Sequence, residues 1–358
     1  MIEPIHQTEY LIAGQLHTWR GEMQNVYSPI LDKDGKMTFL GSYPKLTKAA
    51  ALKAIDAAVR AYDKGEGYWP MLAMKERIQR VQEFTSKMIG QRAKIVELLM
   101  WEIGKSYADS CKEFDRTIEY IEETIKAVEE MERASQTIHL EGGVAARILR
   151  APLGVTLVMG PYNYPLNEAI TILLPSILMG NVAVFKPPKL GVLLYQPLLE
   201  AFMSLPAGVV NTVYGDGPTV AGSIMESGKV DVLAFIGSSK VGDILKRQHP
   251  QPHKLRCVLG MEAKNVGIIT ESADLTTATS ECLAGALSYN GQRCTALKIL
   301  FVHRNVYTEF VNRFSNAVDE LKVGMPWEDG VQITPLPEPG KVDYLKTLVD
   351  EANSKAPL

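Results

Sequence analysis

The stretch "GVTLVMGPYNYPLNEAITILLPSILMGNVAVFKPP", Gly154 to Pro188, decides the architecture. "GVTLVMGP" is an apolar run of strand length. "LNEAITILLPSILMG" reads as a helix ending at glycine, and "NVAVFKP" as a second strand. Toward the C-terminus the alternation continues: helix "LLYQPLLEAFMSL", strand "VVNTVYG", helix "PTVAGSIMES", strand "VDVLAFIG", helix "SKVGDILKRQ", then strands "LRCVLGM" and "VGIIT". Near-continuous Val/Ile/Leu runs of this length suit strands buried on both faces. Repeated strand–helix units imply an α/β fold with a parallel, doubly wound sheet and right-handed crossovers. Toward the N-terminus, Leu46 to about Met131 is rich in helix formers with apolar residues at helical spacing, and Thr47 is placed to start the first helix. "TIHLEGGVAARILRAPLG" reads as a hairpin turning at Gly142–Gly143. Beyond Lys264 come a further helix and strand, then the amphipathic helix "NVYTEFVNRFSNAVDELKVG".

The composition narrows the function classes. The chain has 358 residues, long enough for two or three domains, and 46% of them are apolar, enough for a sizeable core. A formal net charge of −3 gives no electrostatic footprint for nucleic acid and no polybasic membrane patch. The N-terminal "MIEPIHQTEYLIAGQ" lacks the apolar centre of a signal peptide. The most apolar run is interrupted by Glu168, Pro175, Gly180 and Asn181, which fits a buried helix and strand better than a membrane span. Four cysteines without CxxC pairing or metal spacing fit a reduced, cytoplasmic compartment and no metal site.

Ligands of doubly wound sheets sit at the carboxyl ends of the strands. There the chain places "PYNYP" (Pro161–Pro165), "KPPK" (Lys186–Lys189), "GSSKVG" (Gly237–Gly242) and "GMEAKN" (Gly260–Asn265). In "GSSKVG" a serine can cap the following helix and free N–H groups can meet a phosphate; it is neither GxGxxG nor a P-loop, and alone it reads as an ordinary turn. Lys186 and Lys189 are either a solvated pair or two cations for a nucleotide. Asn163, between two aromatics and two prolines, is either a helix cap or a rigidly held donor for an oxyanion. In "SYNGQRCTALK" (Ser288–Lys298), Cys294 follows Arg293, and a thiol with a reference pKa of about 8.5 needs help to become a thiolate. The cysteine-protease signatures are absent and no histidine lies in a pairing motif, so a Cys–His hydrolase is poorly supported. A thiolate that attacks an aldehyde, followed by hydride transfer to a nicotinamide, uses every tip named.

"PYNYP", "FKPPK", "FIGSSKVG", "AKN" and "GQRCTALK" stand in the order and at the spacing of the aldehyde dehydrogenase superfamily, and the chain resembles that family over essentially its whole length. "NYP", "KPP", "SYNGQRCTA" and "ITPL" resemble in particular its non-phosphorylating, NADP-dependent glyceraldehyde-3-phosphate branch. The resemblance implies Cys294 as nucleophile, with the Asn163 side chain and the Cys294 backbone N–H as oxyanion hole. It implies NADP, with NAD as the alternative, held by Lys186, Lys189, Gly237, Ser238 and Gly242, and a substrate phosphate on Arg116, Tyr164 and Arg293. For Arg116 in "EFDRTIEY" the residues alone suggest an exposed helix charge. The resemblance further implies a nucleotide-binding domain from 1–136 and 152–263, an oligomerisation hairpin at 137–151, and a catalytic domain at 264–358 that is incomplete at the C-terminal end. A small-molecule aldehyde is then the partner, neither nucleic acid nor membrane is, and family members of full length are expected to be homo-oligomers.

Two departures bear on activity. The family's general base is the glutamate of "ELGGK"; aligned on Lys264 this chain reads "GMEAK", so Gly260 stands there and Glu262 two residues later. On an extended strand the two face the same side. Glu262 is either a displaced base or a surface or ion-paired carboxylate. Family members also continue past Leu358 with residues for the nicotinamide ribose, so a truncated chain is expected. The alternatives are an enzyme for an unphosphorylated semialdehyde, which needs neither Arg116 nor Arg293, and a non-catalytic homologue kept for assembly.

Overall fold

The computed structural model describes residues 2–355. The N-terminal residues form short strands that the sequence pattern did not reveal: β1 (Ile5–His6), β2 (Glu9–Ile12), β3 (Gln15–Thr18), β4 (Met23–Leu31) and β5 (Met37–Pro44). Helices follow: α1 (Lys48–Tyr62), α2 (Tyr68–Met71), α3 (Met74–Ile89), α4 (Arg92–Ile103) and α5 (Tyr107–Ala134). Thr47 caps α1 as expected, accepting from Ala50 N. The hairpin β6 (Ile138–Glu141) and β7 (Val144–Arg147) turns at Gly142 and Gly143, both at positive φ, and its residues are exposed.

The deciding stretch folds as read. Strands β8 (Val155–Met159) and β9 (Val182–Lys186) flank helix α6 (Asn167–Leu178). Pro175 lies inside α6, and its missing N–H leaves the Thr171 carbonyl without its helical donor. The Tyr120 hydroxyl, 3.2 Å away, donates to that carbonyl instead. The expected helix "LLYQPLLEAFMSL" is broken, because Pro197 cannot donate: a 3-10 turn at Leu193–Tyr195 precedes the short α7 (Leu199–Phe202). After β10 (Val210–Thr212) comes a π turn at Gly217–Gly222, then α8 (Ser223–Glu226), where one regular helix was expected. Strand β11 (Val232–Gly237), helix α9 (Ser239–Gln248) and strand β12 (Arg256–Met261) complete the series.

These strands form one parallel sheet in the order β10-β9-β8-β11-β12. The chain winds outward from β8 through β9 to β10, then returns to β8's other side as β11. The order therefore reverses between β8 and β11, and the crevice beyond their carboxyl ends is where such sheets take ligands. Every residue of β8 and β9 is buried, with the main core around them. At the β10 edge, β2 is pinned through Leu11 N to Thr212 Oγ1 and Ala13 N to Asn211 Oδ1, each 2.9 Å.

The chain leaves this sheet after Met261. Strand β13 (Asn265–Ile269), helix α10 (Leu275–Leu287), strand β14 (Leu297–Val302) and helix α11 (Tyr307–Asp319) build a second unit in which β13 and β14 pair in parallel. Its own core consists of Ile269, Leu275, Cys282 and Phe310 among the described residues. Helix α12 (Lys341–Lys355) follows.

Candidate active site

Two loops meet over the crevice. The first, Gly160–Leu166, leads from β8 into α6. Gly160 is packed so closely that a Cβ would lie 2.8 Å from that of Ala169. The second runs from the end of α10 to β14 and carries Cys294. It begins with Tyr289 and Asn290, both in the left-handed region at φ 51° and 55°. Such backbone costs about 1 kcal/mol or more per residue and persists only where surroundings enforce it. Here the Asn290 side chain donates to the Thr334 carbonyl (2.9 Å) and accepts from Thr334 N (3.0 Å), while Tyr289 is buried. Farther along, Asn265 of β13 donates to the carbonyls of Cys294 (2.6 Å) and Ala296 (3.1 Å). The loop is thus tied at both ends, and Cys294 is exposed.

Asn163 joins the loops: its Nδ2 donates to the Gln292 carbonyl, two residues before Cys294, at 2.7 Å. A primary amide has two N–H donors, so one remains for a ligand. Both ends of the Gln292 side-chain amide are buried without a partner.

Of the residues expected to hold a nucleotide, Lys186 ends β9, is buried, and donates to the Pro187 carbonyl (3.2 Å). Burial lowers its pKa to about 8, with Asp216 opposing the shift. Lys189 is exposed. Ser238 caps α9, accepting from Val241 N. Gly237 and Gly242 leave no room for a side chain: added Cβ atoms would lie 2.4 Å from the Phe235 ring and 2.5 Å from the Met261 methyl. Glu262 accepts from both the backbone N and the hydroxyl of Ser239, each at 2.7 Å. Those bonds, the hydroxyl's first, hold its pKa below the usual carboxylate range. The carboxylate is exposed, and its partner is a helix N-terminus instead of a cation.

The three residues expected around a substrate phosphate are less uniform. Tyr164 lies half-buried in the first loop, its pKa raised to about 12 mainly by burial. Arg293 donates to the carbonyls of Ala284 and Gly285 at the end of α10, both 2.9 Å, and its Nε is buried without a partner. Arg116 is exposed on α5. Its charge opposes the upward shift that burial imposes on Glu168. The residues that pattern reading missed are Lys105 and Glu113, a buried pair behind the first loop, and the Asn290–Thr334 clip. Among the described residues, no three His, Cys, Asp or Glu side chains cluster to hold a metal, and no helix is long and apolar enough to cross a membrane.

The model of the aldehyde dehydrogenase family matches residues 20–357. The chain belongs to the aldehyde dehydrogenase family. It is 33% identical over 343 residues to the NADP-dependent glyceraldehyde-3-phosphate dehydrogenase of Streptococcus equinus, covering 92% of this chain and 68% of that protein. To the chloroplastic betaine aldehyde dehydrogenase of Beta vulgaris it is 26% identical, covering 99% of this chain and 71% of that one. Among solved structures, the NADP-dependent glyceraldehyde-3-phosphate dehydrogenase of Bacillus halodurans, crystallised with NADP, superimposes with a TM-score of 0.88 at 29% identity, over 98% of this chain and 73% of the other. The α/β fold with its parallel sheets is that of its family relatives, as the sequence predicted.

Proposed function

We propose that the chain oxidises a small aldehyde to its carboxylic acid with NADP as hydride acceptor, and that glyceraldehyde 3-phosphate is the substrate. The observation that carries the reading is the Asn163 amide on the loop of Cys294. The Cys294 thiolate adds to the aldehyde carbon, and the resulting oxyanion takes hydrogen bonds from the Asn163 amide and the Cys294 backbone N–H. The nucleotide, when bound, accepts the hydride. The thioester left on Cys294 is cleaved by water, so aldehyde, water and oxidised nucleotide give acid, reduced nucleotide and a proton. The dinucleotide fits the residues present: Lys186 is a buried cation whose hydrogen bond among the described residues goes to a carbonyl and not to a carboxylate, and Gly237 precedes the N-terminus of α9, where Ser238 caps the helix. Lys186 would hold a ribose, the Ser238 turn the pyrophosphate, and Lys189 the 2′-phosphate that distinguishes NADP from NAD. Glu262 takes no part in the chemical steps of this reading, because its carboxylate is engaged at α9.

A second reading, an unphosphorylated aldehyde, is favoured by the state of the two arginines: Arg293 is already engaged by two carbonyls, and Arg116 is near Glu168. NADPH formation from glyceraldehyde 3-phosphate and from glyceraldehyde, without inorganic phosphate, separates the two. The first reading expects kcat/KM to favour the phosphorylated aldehyde and to lose that preference in Arg116→Ala. Equal kcat/KM for both aldehydes supports the second, and no NADPH from any aldehyde sinks both.

A further inference from the structure

The loop carrying Asn163 is held from behind by an ion pair that the chemistry above does not use. Lys105 lies between the end of α4 and the start of α5, Glu113 lies within α5, and neither side chain has any exposed surface. Glu113 Oε2 accepts from Lys105 Nζ. Its Oε1 accepts from the backbone N–H groups of Leu166 (3.0 Å) and Asn167 (3.1 Å), where the loop enters α6. Lys105 Nζ also donates to the carbonyl of Asn163 itself at 2.8 Å. The ammonium lies 3.9 Å from the centroid of the Tyr164 ring and 4.2 Å from that of Tyr289. One cation therefore touches both the loop of the oxyanion donor and the left-handed turn that leads to Cys294.

Stability does not account for such a pair. Two buried charges can usually be replaced by apolar groups of similar volume with little loss. What a lysine between a carboxylate, a carbonyl and two ring faces does provide is direction. It fixes the Asn163 carbonyl, and with it the line along which the Asn163 side chain leaves the backbone. An oxyanion donor is effective only when aimed at the place where the charge develops.

We propose that Lys105, held by Glu113, is a positioning residue for the oxidation: it clamps the Asn163 carbonyl and stacks between Tyr164 and Tyr289, so that the Asn163 amide is aimed at the substrate oxygen over Cys294. The inference rests on the reading of Asn163 and Cys294 proposed above.

The test is a mutant cycle on the whole chain. Lys105→Met with Glu113→Gln removes both charges and leaves none unpaired. Hydrolysis of p-nitrophenyl acetate, which needs the nucleophile and the oxyanion hole but no nucleotide, is measured for the parent, this double variant, Asn163→Ala and the triple variant. Alkylation of Cys294 by iodoacetamide and the thermal midpoint are followed beside it. The expected result is a fall in kcat of about 10²-fold in the double variant, the size of a lost oxyanion donor, with alkylation unchanged. In the Asn163→Ala background, removing the pair should change kcat by no more than about twofold, because Lys105 acts through Asn163. A folded double variant at the parent rate overturns the proposal. So do additive losses in the triple variant, or alkylation that falls with kcat, since either makes the pair a support of the fold alone. If the double variant does not fold, Lys105→Leu with Glu113→Gln, which again leaves no charge unpaired and keeps an acceptor for Leu166 and Asn167, enters the same cycle with the same criteria. A parent that hydrolyses no ester, or is indifferent to Asn163→Ala, overturns the reading of the site itself, an outcome distinct from the others.

Discussion

The two sheets are built to different standards. In the five-stranded sheet, β8 and β9 are buried along their whole length, and the core around them draws on helices from both faces. In the two-stranded unit, β13 alternates between exposed and half-buried residues until Ile269, and four buried side chains make the core among the described residues. Yet the smaller unit carries the thiol, while the larger carries the proposed nucleotide site and the proposed oxyanion donor. The difference separates two demands. A nucleotide needs a rigid floor, and the buried strands supply it. A nucleophile needs a loop that can be aimed, and aiming here is done by a few polar ties, from Asn265, Asn290 and Asn163, instead of by bulk packing.

The comparison can be broken at several points. Cys294→Ser should lower turnover by on the order of 10⁴-fold or more and leave nucleotide affinity and the thermal midpoint unchanged, since it alters only the nucleophile. Steady-state NADPH formation and nucleotide titration check both halves of that statement. Phe185→Ala, in the large core, should cost about 3–5 kcal/mol in denaturant unfolding. The same deletion at Phe310 should fall near about 3 kcal/mol, with hydrogen exchange accelerated in β13 and β14 and not in β8. Acceleration in both sheets would show one cooperative unit and end the contrast.

A third test uses Lys186, whose pKa is lowered to about 8. Nucleotide affinity should fall as pH rises through about 8, because the ammonium proposed to meet the ligand is lost, and Lys186→Met should abolish that pH dependence. Stability of the free chain has the opposite slope. Between about 8 and the ordinary lysine value the unfolded chain binds more protons, so the Lys186 contribution makes folding more favourable as pH rises through that window. The smallest effect is expected at Glu262. Glu262→Gln keeps an acceptor for Ser239 but removes a negative charge from the helix end where a phosphate would bind. Nucleotide binding should tighten by about threefold, with no burst of NADPH before steady turnover. A burst followed by slow turnover would make Glu262 the base after all.

The Val/Ile-rich strands β8 to β11 were legible because burial leaves a run that needs no partner to be recognised; β12 carries the same kind of run but lies exposed at the sheet edge, against the expectation of burial on both faces. The strands of residues 2–45 were not, since their mixed pattern acquires meaning only when β4 meets β5 and β2 meets the β10 edge. The helix expected after Leu193 failed at Pro197, a local signal that the apolar spacing outweighed. In the site, Cys294, Asn163 and Lys186 stand in motifs with unusual local chemistry. Lys105 does not: as sequence it is one lysine between a helix-ending glycine and a capping serine, and the carbonyl it clamps lies 58 residues away. Glu262 was less legible: it lies one residue beyond the end of β12, where strand spacing no longer applies, and its partner Ser239 lies 23 residues upstream.

The bond from Asn163 to the Gln292 carbonyl spans 129 residues, and that separation has a consequence for how the chain comes to be active. Closing a loop of that length costs on the order of 4 kcal/mol of chain entropy before the contact returns anything. Chains rich in contacts this distant fold slowly. Until this one closes, a Cys294 already exposed on its loop would lack the proposed oxyanion donor: it would be open to oxidation or alkylation but not competent for turnover.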